Sequence, residues 1–175
     1  MSQYEIDSAH SGAQFKVRHM MIANVKGEFT KISGKVSFDP ANPAASSIDV
    51  SIDASSISTR EPQRDEHLKS ADFFDVANYP AITFVSKTVE PDGKDAYQVT
   101  GDLTIRGVTH EVKLLVDSVT PEAKDPWGGM RRGAVATTTI NRKDFGLTWN
   151  MALETGGIVV GEEVHITIDV ELVRK

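Results

Sequence analysis

Four residues near the amino terminus, Asp7, Ser8, His10 and Ser11, place a carboxylate, two hydroxyls and an imidazole within five positions. Those groups would serve acyl transfer if folding aligned them as nucleophile, base and orienting acid. Proximity in sequence does not achieve that. A triad is assembled from separate segments, no Gly-x-Ser-x-Gly elbow occurs, and Asp and Ser gather at ordinary turns. The cluster is therefore read as structural. The five histidines, His10, His19, His67, His110 and His165, show no His-x-x-x-His or His-Glu-x-x-His spacing, so a metal would need ligands drawn from distant strands. Gly128-Gly129 and Gly156-Gly157 lack the lysine and the strand-to-helix context of a phosphate loop. Arg131-Arg132 and Arg142 have the chemistry to meet an anionic head group, although solvated arginine is the commoner case. The absence of cysteine removes disulfides, thiolate nucleophiles and thiolate metal sites. No catalytic residue, metal or cofactor is expected.

The elements that would position these groups are mostly strands. Ala13 to His19 alternates, with Ala13, Phe15, Val17 and His19 on one face and Gln14, Lys16 and Arg18 on the other. Met20 to Ala23 interrupts it with an apolar run that reads as a connection lying on, or dipping into, an apolar mouth. From Val25 to Phe38 the apolar phase slips from odd (Val25, Gly27, Phe29) to even (Ile32, Gly34, Val36, Phe38), the mark of a bulge that bends a strand toward closure. Ile48-Val50-Ile52, Ile82 to Ser86, Tyr97 to Ile105, Val112-Leu114-Val116, Gly133 to Asn141 and Val160 to Leu172 supply further strands. Turn signals separate them at Asp39-Pro40, Pro91-Asp92-Gly93, Arg106-Gly107 and Thr155-Gly156-Gly157. The small Ala134 and Ala136 stand where neighbouring strands carry bulky residues, which leaves room inside.

One segment reads as helix. Pro62 suits a first turn, Leu68 and Ala71 share a face, and Asp72 is placed to cap a second short turn that aims Phe73 and Phe74 inward. The helix is expected near 61–71, covering one end of the β structure. Eight sequential strands without an internal repeat point to an all-β, antiparallel up-and-down barrel of eight strands with one short helix at one end, with a two-sheet sandwich as the runner-up.

Length fits a single domain over residues 1–175. With 19 Lys+Arg against 25 Asp+Glu, the net charge of −6 and the lack of like-charge blocks argue against nucleic acid. MSQYEIDSAHSG lacks a basic region followed by an apolar one, and no run of 18 apolar residues occurs, so a chain that neither carries its own export signal nor spans a membrane is expected. Met1-Ser2 points to the cytoplasm; an export signal trimmed from the chain would instead mean the periplasm.

Several segments together resemble the YceI family of polyisoprenoid-binding proteins. They are Asp7 to Ser11, Phe15 to His19, Gly27 to Phe29, Arg64 to Asp75, Tyr79 to Phe84, Gly101-Asp102-Leu103-Thr104-Ile105-Arg106-Gly107 and Asn141 to Leu147. The resemblance implies a lipocalin-like barrel with a long tunnel for a polyprenyl chain or related amphiphile, and a link to isoprenoid quinone or lipid transport, with some members induced by stress. Many members are exported to the periplasm, and the family supplies no established catalytic set. The tunnel is then expected to be lined by Phe15, Val17, His19, Phe29, Val36, Phe38, Phe73, Phe74, Ile82, Phe84, Gly101, Leu103, Ile105, Phe145, Leu147 and Trp149, with Arg142 as the head-group candidate. Gly101 carries two readings: a tunnel wall, or a tightly packed barrel corner. The expected function is non-catalytic carriage of a long-chain isoprenoid, bound as ligand. Each buried methylene contributes about 0.8 kcal/mol against an association cost of roughly 4 to 15 kcal/mol, so longer chains should bind better. The alternative is a lipid-modifying enzyme using His10, His19 or Arg142 at the mouth. A homodimer is left open.

Overall fold

The structure is a computed structural model and describes residues 1–151 and 159–175. The turn expected at Thr155-Gly156-Gly157 lies outside the described residues. Alternation of buried apolar and exposed polar residues carries twelve strand segments: β1 (Ser2–Ile6), β2 (Gly12–His19), β3 (Ala23–Phe29), β4 (Ile32–Phe38), β5 (Ser47–Asp53), β6 (Ile57–Ser58), β7 (Ala81–Pro91), β8 (Tyr97–Ile105), β9 (Val108–Asp117), β10 (Ala123–Lys124), β11 (Met130–Asn141) and β12 (Val160–Arg174).

Three pairs of these are single long strands broken midway. β1 and β2 are separated by a 3-10 turn at Ser8–His10, β3 and β4 by Thr30 and Lys31, and β5 and β6 by a 3-10 turn at Ala54–Ser56. Counted so, eight long strands pair antiparallel, each with the next in sequence. The last then pairs with the first, Tyr4 opposite Arg174 and Phe15 opposite Ile166, which closes the barrel and leaves β10 as a short addition on β11. The architecture is the expected eight-stranded up-and-down barrel, and the sandwich is excluded. β1 is an addition to the expected strands: Tyr4 and Ile6 are buried, and Gln3 and Glu5 are not. The phase slip in the second strand falls at Thr30-Lys31, where Thr30 and Lys31 turn to Ser56 for hydrogen bonds.

Turn chemistry fixes the connections. Arg106 (φ 51°) and Gly107 (φ 74°) make the tight hairpin between β8 and β9. Asn141 caps the short 3-10 turn Arg142–Phe145 by accepting from the Lys143 N–H, and Gly146 ends it with φ 78°.

The helix α1 (Pro62–Lys69) starts on Pro62, as expected, but ends two residues early, with Ala71 exposed. Its start is held by Asp65, whose carboxylate accepts from the backbone N–H (2.8 Å) and hydroxyl (2.6 Å) of buried Thr59. Asp72 does not cap a second turn: its carboxylate meets His67 Nε2 at 2.8 Å, and residues 70–79 form turns that still carry Phe73 inward. Around the helix end of the barrel and down one wall run Tyr4, Ile6, Ala13, Phe29, Ile32, Ile52, Phe73, Ile105, Ile140, Phe145 and Leu147, while Phe84, Val89, Val99 and Leu114 form a second buried group. Between them Phe15, Phe38, Val50, Leu103, Val112, Ile166, Ile168 and Val170 face inward yet are only half-buried. Among the described residues no helix is long and apolar enough to cross a membrane.

Candidate functional site: an apolar tunnel

Half-buried inward residues in a closed barrel mean an interior that protein atoms do not fill. The interior holds a cavity of about 400 Å³ that runs the height of the barrel. On β12 its wall is Val164, Ile166, Ile168, Val170 and Leu172; on β11, the facing Ala134, Ala136, Thr138 and Ile140. Ala136 stands opposite Ile168 and Ala134 opposite Val170, so the space expected at the two alanines is part of the cavity. From Val160 to Leu172 the wall extends about 40 Å along the strand, hence about 30 Å along an axis from which strands tilt by roughly 40°.

Aromatic side chains crowd the helix end. Trp149 meets His67 (4.7 Å) and Phe73 (5.4 Å), and Phe29 contacts both Phe15 (5.6 Å) and Phe74 (5.5 Å). At the opposite end Phe38 packs on Tyr97 (5.3 Å) and under the Arg132 guanidinium (5.4 Å). Arg132 Nε donates to the Tyr4 hydroxyl at 2.9 Å, and Tyr4 in turn donates to Glu122. That hydroxyl, ahead of the charges of Arg174 and Arg132, lowers the Glu122 pKa.

Of the sixteen residues expected on the tunnel wall, the structure brings fourteen to the cavity: Phe15, Val17, His19, Phe29, Val36, Phe38, Phe73, Phe74, Ile82, Phe84, Leu103, Ile105, Leu147 and Trp149. Two are corrections. Phe145 is fully buried in the packed core, beside His110 at 5.2 Å between rings, and does not border the cavity. Gly101 does not border the space either: a β-carbon there would stand 2.5 Å from the Val85 carbonyl oxygen and 2.6 Å from the edge of the Phe84 ring. The ring that lines the cavity at this level is Phe84, lying across the glycine, as aromatic side chains commonly do over glycine in sheets. The apolar run at Met20 to Ile22 does not dip into the mouth; it is an exposed turn.

Arg142 also borders the cavity, but as a buried wall residue and not at an open rim: it is 3% exposed. Nε donates to Gly161 O (2.7 Å), Nη2 to Val160 O (3.2 Å) and Nη1 to Leu147 O. Burial lowers its pKa, and among the described residues it has no carboxylate in ion-pair contact. Three of its five N–H groups are thus used, and two have no partner among the described residues.

The Asp7 to Ser11 cluster lies outside this tunnel, at the break between β1 and β2. Asp7 accepts from the Ala9 N–H, from His10 Nδ1 (2.9 Å) and from Arg131 (2.7 Å); the His10 and Arg131 bonds, in that order, lower its pKa to about 2. The same bond to Asp7 raises the His10 pKa. Arg131 also binds Asp125 (2.8 Å) and Glu171 (2.9 Å), while Ser8 donates to Ile32 O and Ser11 accepts from the Glu171 N–H. Both hydroxyls are engaged with backbone and neither meets the imidazole, so the group ties β1, β4, β11 and β12 together. Asp7, His10 and Glu171 present metal-ligand atoms within 4.8 Å of one another, yet Arg131 already holds both carboxylates.

The wall also includes residues beyond the expected set: Ile48, Val50, Tyr97, Val112, Leu114 and Arg132 line the cavity. For the aliphatic ones the signal is in the sequence, since Ile48 and Val50 share the inward phase of β5, and Val112 and Leu114 that of β9.

Residues 4–172 match the family described as YceI-like domain. A UPF0312 protein of Vibrio cholerae is 40% identical over 148 residues, covering 83% of this chain and 78% of that protein. A UPF0312 protein of Staphylococcus aureus is 37% identical over 98% of this chain and 97% of its own. Among solved structures, Burkholderia cenocepacia BcnA superposes with a TM-score of 0.83 at 29% identity, covering 95% of this chain and 98% of that one. The Campylobacter jejuni YCEI protein gives 0.75 at 33%, covering 90% of each chain. A polyisoprenoid binding domain from Saccharophagus degradans shares the fold, with a TM-score of 0.72 at 17% identity over 98% of both chains. A match of this extent, together with relatives similar along most of their own length, makes the chain a member of the YceI-like domain family.

Proposed function

We propose that the barrel binds a single long-chain isoprenoid, or a related amphiphile with one extended apolar tail, and carries it chemically unchanged. The observation that supports this reading is the state of the wall: aliphatic and aromatic residues of eight strands face inward but stay half-buried around one continuous cavity. In a barrel evolved only to be stable those side chains would meet each other, because unfilled apolar volume destabilises a core. A tail of matching shape restores the missing contacts, at about 0.8 kcal/mol per methylene. The name of the Saccharophagus domain, which shares this fold, agrees with that ligand class.

Arg142 is the proposed contact for a polar head. Its two remaining N–H groups and its desolvated charge favour a phosphate, a carboxylate or a carbonyl oxygen. Catalysis would need a base or nucleophile facing the cavity: the hydroxyls and carboxylate of the Asp7 to Ser11 group are engaged elsewhere, so an enzyme would have to use His19 or His67, the two imidazoles on the wall.

The test is Ala136→Phe, which fills the tunnel midway with a ring. Native mass spectrometry and titration with prenyl alcohols of increasing length are run on both proteins. Wild type is expected to bind longer alcohols more tightly and to return them at unchanged mass, while Ala136→Phe stays folded and loses at least about tenfold in affinity. Equal binding by the two proteins, or none by delipidated wild type, would overturn the carrier reading. A ligand returned with altered mass would replace it with an enzyme.

A further inference from the structure

The hairpin joining β2 to β3 ends in an apolar tip that no described residue of the barrel buries. Met20, Met21 and Ile22 are 41%, 58% and 77% exposed, and Ala23 beside them is exposed as well. Met20 and Met21 both adopt left-handed backbone (φ 51° and 61°), where Asn or Gly is the ordinary choice for a hairpin. Large apolar side chains at such positions, facing water, serve neither the turn nor the core. Met20 N–H donates to Val159 O at 2.7 Å, and the Val159 N–H to Met151 O, which brings a further exposed methionine alongside.

Along the hairpin itself charge has one sign, while the facing stretch of β12 brings two carboxylates beside Arg18, Glu162, which is paired with Lys143, and the exposed Glu163. Residues 16–26 contain Lys16, Arg18 and Lys26 and no Asp or Glu, in a chain whose net charge is −6. Lys16 stands directly opposite Lys26 on the outer face, an unfavourable pairing for strand stability, with His165 on the other side of Lys16. Among the described residues none of the three cations is in an ion pair. The position completes the picture, since Arg18, His19 and Val25 of the same hairpin line the cavity at its helix end.

We propose that this hairpin docks the barrel on an anionic lipid bilayer, with Met20, Met21 and Ile22 entering the headgroup region and Lys16, Arg18 and Lys26 resting on lipid phosphates. An apolar wedge ringed by cations is the chemistry that binds such a surface. It rests on the carrier reading, because a tail that leaves or enters a bilayer does so most directly through a mouth held against it. A second copy of the chain is a poor occupant: a two-fold pairing of tips would bring three cations against the same three.

The test uses flotation with vesicles of phosphatidylcholine alone or with about 30% phosphatidylglycerol. The proteins are delipidated wild type, Met21→Ser/Ile22→Ser and Lys16→Gln/Lys26→Gln. Wild type is expected to bind the anionic vesicles at least about tenfold more tightly than the neutral ones, and less as salt is added. Each double variant is expected to lose about fivefold or more on anionic vesicles. Its melting temperature, and its titration with farnesol in vesicle-free buffer, should match wild type. Wild type that floats with neither vesicle overturns the proposal, as do variants that bind like wild type. A dimer in sedimentation that Met21→Ser/Ile22→Ser dissociates also overturns it, by assigning the tip to a second copy. If farnesol and longer alcohols fail to bind while vesicle binding keeps the expected pattern, the carrier reading falls and the docking surface stands.

Discussion

Replacing Gly101 by alanine adds one methyl group at a position where the two readings of the barrel wall differ in sign. On a tunnel wall the methyl would enter open space and remove the conformational freedom of glycine from the unfolded chain, a gain of about 0.4 to 1 kcal/mol. The structure puts that β-carbon 2.5 Å from a backbone oxygen of Val85 and 2.6 and 2.9 Å from two carbons of the Phe84 ring. The oxygen belongs to the ladder between β7 and β8 and cannot move alone, and Phe84 is itself buried. Overpacking of this kind costs about 1 to 3 kcal/mol, which for a domain of this size lowers Tm by about 2 to 12 °C. Gly12→Ala is the matched control: its β-carbon would meet only the Phe29 oxygen at 3.9 Å, so it should melt at or slightly above wild type. Thermal melts of delipidated proteins by far-UV circular dichroism decide the matter. Gly101→Ala melting at or above wild type, with Gly12→Ala behaving as stated, would refute the packing argument and return Gly101 to the tunnel wall.

Two other outcomes follow from the polar groups. The Asp7 carboxyl is held at about 2, so its contribution is present above about pH 4 and is lost as pH falls toward 2; His10 is raised, so its contribution is full below about pH 6.5 and fades as pH rises past its folded value. The Tm difference between wild type and His10→Ala should therefore be larger at about pH 5.5 than at about pH 8.5, and a difference that is equal or reversed would contradict the assignment. Arg142→Met leaves the carbonyls of Gly161 and Leu147 without the Arg142 donor, while Val160 O keeps its bond from Asn150 Nδ2 (2.7 Å); at about 1 kcal/mol or more for each of the two, the loss is about 2 kcal/mol or more, or at least about 4 °C in Tm. A melt within about 2 °C of wild type would show that these bonds are dispensable.

Most of the barrel is legible because its strands obey one rule. In β12 the even residues from Val164 to Leu172 are apolar and the odd ones polar, and every even one lines the cavity. β1 escapes that rule because two apolar residues, Tyr4 and Ile6, make too short a pattern, and its place is fixed by partners at Val36 and Leu172 that sequence does not join to it. Gly101 sits in the inward phase of β8, as its neighbours imply; that Phe84 lies across it is a cross-strand fact that no period can encode. Arg142 reads from the sequence as a head-group contact at a rim, since charge suggests exposure and only the fold supplies three carbonyls to bury it. Ala134 and Ala136 are the opposite case: side-chain size alone announces the space.

The interruptions in the first three long strands lie at one level. Ser8 bonds to Ile32 O, Thr30 and Lys31 bond to Ser56, and Asp53 N–H bonds to Lys31 O, so side chains and turns replace the regular ladder along a belt crossing three adjacent strands. Among the described residues, the panel above it, β2 with β3 and β6, is fastened to the rest of the cylinder along one long edge, at β12. In amide exchange such a panel is expected to open as a unit, at lower cost than the continuous strands from β7 to β11. A rigid tube would have to take a long tail end-on, whereas a tube with one jointed panel near its mouth can widen sideways while the remaining wall keeps its hydrogen bonds.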